Sequence, residues 1–127
     1  MVELNEIYKC SICGNIIEVV HAGMGELVCC GEPMNLMEAN ADDKASKEKH
    51  IPIVRHIKDD KFIIKIGSIP HPMEESHYIE WIEVVKKDGL IRKSLKPGDL
   101  PEKEFNIRQK EYTVRIYCNL HGLWKNK

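Results

Sequence analysis

Four cysteines lie within 21 residues as Cys10-x-x-Cys13, fifteen residues, then Cys29-Cys30. Paired thiols at this spacing suit a tetrahedral sulfur site. Zinc and a single iron both accept four thiolates, and either would supply the folding energy that a module of about 36 residues lacks. Two disulfides are the competing arrangement, but a fifth cysteine, Cys118, makes the total odd. Neighbouring side chains in extended backbone point apart, so Cys29 and Cys30 can reach one metal only across a sharp bend. Gly14, Gly31 and Pro33 lie just after the cysteine pairs, where tight turns can aim backbone amides at sulfur.

A chain of 127 residues holds one ordinary domain, or a small metal-pinned module joined to one. The composition changes after the cysteine stretch, which divides the chain into residues 1–37 and 38–127. Residues 38 to 49, EANADDKASKEK, are charged and lack large apolar groups, so they read as a linker or surface loop. Beyond Ile51 the segments are short, rich in β-branched and aromatic residues and separated by turn signals, which predicts a β-sandwich or barrel. The expected strands are 51–57, 62–67, 77–85, 90–95, 104–109 and 111–118, with turns at Asp88-Gly89 and at 96–99. Phe62, Ile64 and Ile66 share one face, and Tyr112, Val114, Ile116 and Cys118 share another, giving Cys118 core-facing parity. In HYIEWIEVV both faces carry apolar groups, so that strand is expected to be covered on both sides. No window of helical period competes, so the chain is mainly β.

Nineteen Lys plus Arg against twenty Asp plus Glu leave a net charge of −1, which gives no basic excess for holding nucleic acid. No apolar run reaches the roughly 18 residues that cross a bilayer, and the opening MVELNEIYKC lacks the pattern of a signal peptide. The expected compartment is therefore the cytoplasm, where metal binding by thiols is favoured over disulfides.

The second constellation comprises His50, His71-x5-His77 and Cys118-Asn119-Leu120-His121, with His21 and His56 left without a role. Each histidine alone reads more readily as a surface or hydrogen-bonded core residue. Their positions change that: all lie at strand ends or in loops that can converge at one rim of a sandwich. Four imidazoles and one thiolate fit neither a closed tetrahedral zinc site nor a blue-copper site, and suit iron with a sixth position open. Trp81 and Trp124 read as packing residues, with Trp124 placed to shield the ligand loop.

The motifs CSICGNIIEVVHAGMGELVCCGEPM, EKHIP, HPMEESHYIEW and CNLHGLW occur in this order and span nearly the whole chain. With them the sequence resembles the two-iron desulfoferrodoxins, superoxide reductases with an added desulforedoxin-like domain. The resemblance implies a desulforedoxin-like iron domain over 1–37 and an immunoglobulin-like β-sandwich over 38–127. It implies that Cys10, Cys13, Cys29 and Cys30 hold one iron, with zinc an alternative occupant. It further implies that His50, His71, His77, Cys118 and His121 hold a second iron, the histidines in a square, Cys118 axial and His121 bound through Nδ1.

The activity implied is one-electron reduction of superoxide to hydrogen peroxide at the non-haem ferrous site, a detoxification under oxidative stress. An external donor, rubredoxin or a similar small carrier, would re-reduce the iron. Glu48 and Lys49, directly before His50, match a Glu-Lys pair in which the glutamate caps the sixth position of ferric iron and the lysine stays near the open site. The family is typically homodimeric. Two other readings compete: a non-catalytic iron electron-transfer protein, whose site would be closed to azide or cyanide, and a zinc-stabilised binding module, which leaves the histidine motifs unexplained.

Overall fold

Turn residues cut this chain into short extended segments, and the computed structural model, which describes residues 2–42 and 49–126, contains strands and no helix among them. Two compact units result, Met1–Glu38 and Ala39–Lys127.

The first unit holds β1 (Ile7–Lys9), β2 (Ile16–Glu18), β3 (Val28–Cys29), β4 (Glu32–Pro33) and β5 (Asn35–Met37). A three-stranded antiparallel sheet runs in the order β2-β1-β5, with Ile7 opposite both Glu18 and Met37. β3 and β4 form a separate hairpin. Among the described residues only Ile7, Cys10 and Val19 are buried in this unit, while Ile12, Val20, Met24 and Val28 are exposed. Burying one large apolar side chain contributes about 1.5–3 kcal/mol, so a core this small cannot offset the ordering entropy of the segment. None of these five strands was anticipated from the sequence, because runs of two or three residues carry no readable alternation.

The second unit continues with β6 (Pro52–Lys58), β7 (Lys61–Ile66), β8 (Ile79–Lys86), β9 (Gly89–Ser94), β10 (Glu102–Asn106), β11 (Tyr112–Cys118) and β12 (Gly122–Lys125). They form two antiparallel sheets, ordered β10-β7-β6 and β12-β11-β8-β9. Ile64, Ile66 and Phe105 from the first sheet meet Ile82, Val84, Val114, Ile116 and Trp124 from the second in one core. Seven strands shared three and four between facing sheets make an immunoglobulin-like sandwich. Cys118 is fully buried at the end of the Val114–Ile116–Cys118 row, on the face its parity predicts.

β8 is covered on both faces. Its core face carries Ile82 and Val84, and on the other face Glu83 is fully buried. Arg92 Nε donates to its Oε2 at 2.9 Å and Arg115 Nη2 reaches Oε1 at 2.9 Å. The Trp81 and Tyr117 rings stack beside them at 5.8 Å.

Three expectations need correction. The strand expected at 104–109 spans Glu102–Asn106, because the Ile107 amide leaves the ladder and donates to the Asp60 carbonyl. β12 was not expected: its four residues become a strand by pairing with β11, Trp124 opposite Ile116. The stretch read as a linker is anchored at Asn40, which bridges Trp124 in parallel and exchanges hydrogen bonds with Leu123 and Lys125.

Candidate metal centres

The first cluster is assembled by two turns. At the end of β1, Gly14 with φ +84° closes a turn in which its amide donates to the Cys10 carbonyl at 3.1 Å. Amides inside that turn face sulfur: Ile12 N lies 3.4 Å and Cys13 N 3.5 Å from Cys10 Sγ. The β3–β4 hairpin turns on Cys30 and Gly31, with φ +54° and +77°, the positive pair that a type I′ turn requires. That left-handed step lets adjacent cysteines share one site. Cys13 Sγ lies 3.6 Å and Cys30 Sγ 3.9 Å from Cys29 Sγ. One sulfur from each of Cys10, Cys13, Cys29 and Cys30 falls within 4.8 Å of all the others.

Crowding splits the thiol acidities. The amides of Cys13 and Ile12 hold the Cys10 thiol down at about 6. Cys29 is pushed up to about 12, chiefly by sharing hydrogen bonds with Cys13 and Cys10. Crowding by neighbouring sulfur thus favours the protonated forms of Cys29 and Cys30 until a cation replaces those protons, which is the behaviour of a metal site.

The second cluster draws on five places in the sandwich. His50 precedes β6, His71 sits between Pro70 and Pro72, His77 precedes β8, Cys118 ends β11, and His121 occupies the turn into β12. Their donor atoms also lie within 4.8 Å of one another. The rings form a closed circuit: His50 to His71 at 4.7 Å, His71 to His77 at 4.7 Å, His77 to His121 at 5.0 Å and His121 back to His50 at 5.0 Å. The circuit places His50 across from His77 and His71 across from His121 around one centre. Cys118 Sγ lies 3.5 Å from His71 Nε2 and 3.7 Å from His121 Nδ1. The sulfur thus lies at near-equal reach of two histidines on opposite sides of the circuit.

Supporting contacts set the tautomers and orientation. His71 Nδ1 lies 2.8 Å from the Pro72 carbonyl, which can only accept, so the ring donates there and leaves the Nε2 lone pair facing the cluster. Trp124 stacks on His50 at 4.4 Å and 11°, and its Nε1–H donates to the His121 carbonyl at 3.1 Å. At Gly67, φ +83°, a Cβ would run into the carbonyl oxygens of Lys49 and Ile69. The glycine therefore lets the chain pass directly behind Lys49 and His50.

Of the other candidates, Lys49 is half-buried beside His50, and Glu48 lies outside the described residues. His56 and His21 are exposed and belong to neither cluster, with His56 Nε2 2.7 Å from the Asp59 carbonyl. Sequence reasoning gave no role to Gly67 or Asn119. The only signal for Gly67 was a glycine at a strand end, and for Asn119 its place between two ligands of one motif.

The donor sets can be matched to a metal by their chemistry. Four sulfurs suit tetrahedral iron or zinc. Four imidazoles and a thiolate exceed the four ligands of structural zinc and suit iron with one position open. The buried Nε2 of His77, which makes no hydrogen bond, is the kind of polar atom a metal would satisfy.

Residues 42–127 match the family described as Desulfoferrodoxin, and residues 2–37 match Desulfoferrodoxin, N-terminal domain. A desulfoferrodoxin homolog of Archaeoglobus fulgidus is 53% identical over 126 residues, covering 99% of each chain. A desulfoferrodoxin of Nitratidesulfovibrio vulgaris is 55% identical over 120 residues, 94% of each. Among solved structures, the superoxide reductase from Treponema pallidum superposes with a TM-score of 0.75 at 26% identity, covering 96% of this chain and 97% of that one.

Proposed function

This chain belongs to the desulfoferrodoxin family, and from that premise we propose that it is a superoxide reductase holding two irons, one in each cluster. The observation that carries the reading is the closed circuit of His50, His71, His77 and His121, with the Cys118 sulfur among their donor atoms and all five within 4.8 Å of one another. The Treponema pallidum protein, which shares the fold along nearly its whole length, is a superoxide reductase.

The reaction adds one electron and two protons to superoxide and yields hydrogen peroxide without dioxygen. Iron held by His50, His71, His77, Cys118 and His121 would supply the electron. The chain's own residues do the rest. Cys118, as a thiolate ligand, would donate electron density to the iron, as thiolate ligands do elsewhere. His71, fixed through Nδ1, and His50, held flat against Trp124, present their rings to the cluster in set orientations. Lys49, adjacent to His50, provides the local positive field that draws an anion to a protein of net charge −1, and it positions the water that delivers protons. Glu48 is the residue assigned to cap the open position between turnovers.

Cys10, Cys13, Cys29 and Cys30 hold the second iron in the smaller unit. A small one-electron carrier of the rubredoxin type is the assigned donor, and a homodimer in the cytoplasm the assigned form; no helix of the described residues is long and apolar enough to cross a membrane.

The test mixes superoxide with an excess of ascorbate-reduced protein whose iron has been counted. One peroxide formed per superoxide consumed, without dioxygen, is expected. Dioxygen release, or superoxide surviving unchanged beside two irons per chain, would overturn the assignment in favour of electron transfer alone.

A further inference from the structure

The ladder between β8 and β11 fails where the metal site begins. Tyr117 pairs with Trp81, but the next partner of Cys118 is Ile79, so the register slips by one residue between Tyr117 and Cys118. A bulge of this kind re-aims a side chain at the end of regular pairing. Beyond it, two ligand-bearing segments must still be held together: the Cys118–His121 turn and the loop carrying His77. Met73 anchors the start of that loop against the core, but Glu74, Glu75 and Ser76, which lead to His77, are exposed.

Asn119 occupies that gap. Its amide donates to the Tyr78 carbonyl at 3.2 Å, its Oδ1 accepts from the Tyr78 amide at 2.9 Å, and its Nδ2 donates to the Ser76 carbonyl at 3.1 Å. Tyr78 N–H can only donate and Ser76 C=O only accept, so the orientation of the carboxamide is fixed by its partners. Both neighbours of His77 are thereby tied to the residue between Cys118 and His121. His77 itself exchanges backbone hydrogen bonds with Glu74 at 2.9 and 3.0 Å, which closes the loop from its other side.

We infer that Asn119 is a positioning residue for the circuit of histidines, its carboxamide standing in for a peptide group and extending the β8–β11 pairing past the bulge to His77. Side-chain amides resemble peptide groups in donor, acceptor and spacing, so one asparagine can replace one rung. Its chemical consequence is register. The clamp fixes the separation of His77 from the turn that carries both Cys118 and His121, a separation otherwise set on this side by the slipped ladder. Among the described residues the hydrogen bonds of Asn119 go to Tyr78 and Ser76 and not to the ligand atoms, so it acts by positioning them and not on substrate.

The inference rests on iron occupying the second cluster, and the experiment separates the two. Full-length protein loaded with iron is challenged with a chelator, and iron loss from each site is followed by its own visible absorption. Asn119→Leu keeps the side-chain volume and removes both side-chain hydrogen bonds. Loss from the histidine site about tenfold faster is expected, with the four-cysteine site unchanged. Asn119→Asp keeps the acceptor for the Tyr78 amide and should retain iron better than the leucine variant. The absorption arising from Cys118 bound to ferric iron should shift in the leucine variant before any iron is lost, a change that a purely global loss of stability would not produce.

A leucine variant that releases iron within about twofold of the parent, with an unshifted band, overturns the clamp. So does equal acceleration at both sites. A parent that never binds iron in the histidine cluster overturns the metal reading itself and the clamp with it.

Discussion

The two units hold their donor atoms by opposite means. In Met1–Glu38 the cluster is nearly all there is to hold: three buried residues, a three-stranded sheet of three-residue strands and a two-stranded hairpin. In Ala39–Lys127 a two-sheet core stands independently of the cluster, and the ligands are carried on its rim. Metal therefore folds the first unit, whereas the fold of the second prepares the metal site. The difference teaches where each site's chemistry can be tuned. Around the cysteines little besides the ligands and two turns can be altered, while the histidine site is shaped by Trp124, Gly67, Lys49 and other residues that bind nothing.

The sharpest way to break this contrast is to remove the metals. Chelation, or Cys29→Ser, should abolish the structure of the first unit, since structural metal in small sulfur modules contributes on the order of 10 kcal/mol or more. The second unit should keep its β-sheet circular dichroism and its cooperative unfolding transition. A metal-free first unit that still melts cooperatively would contradict the comparison.

Next in size is Ile82→Ala in the second unit. Ile82 is fully buried between the sheets, and truncation there should cost about 2–5 kcal/mol in denaturant unfolding. The four-cysteine absorption should be untouched. Loss of that absorption together with the sandwich would show the units to be one cooperative body.

The same contrast governs what the sequence could reveal. The four cysteines are legible from their spacing, the histidine ligands only from their strand-end positions together with the desulfoferrodoxin motifs, and Cys118 has the core-facing parity expected because strand parity survives to the last residue of β11. The strands of the second unit are legible wherever both faces of a long run differ. The small unit's strands are not, because their pairing follows from the metal and from the left-handed turn at Cys30–Gly31, not from alternation. β12 and the Asn40 bridge are equally hidden, being created by a neighbour's free edge. Roles that depend on a contact between distant segments, such as Gly67 beneath Lys49 or Asn119 beside Tyr78, leave only a residue type behind.

Lys49→Ile tests whether the second site depends on residues that do not bind metal. If the Lys49 ammonium draws superoxide to the site, removing it should lower the second-order rate about tenfold and flatten its dependence on ionic strength. Both irons and the unfolding midpoint should be retained. An unchanged rate with an unchanged salt dependence would assign the attraction of superoxide to the metal alone and make the two sites more alike than the comparison holds.

The smallest effect expected comes from Trp124→Phe, and it is the most discriminating. Phenylalanine preserves an aromatic face against His50, now at 4.4 Å from the indole, but removes the Nε1–H that donates to the His121 carbonyl. One neutral hydrogen bond contributes about 1 kcal/mol, so the midpoint of the second unit should fall by several degrees, roughly 4–8 °C for a domain of this size. Because the carbonyl belongs to His121, whose Nδ1 faces Cys118 Sγ, the loss should also show as faster iron release from the histidine site. A lowered midpoint with unchanged iron release would mean that Trp124 serves the core only. Faster release with little change in midpoint would mean that the core tryptophan works chiefly for the metal, so that even inside the sandwich the line between fold and site runs through single side chains.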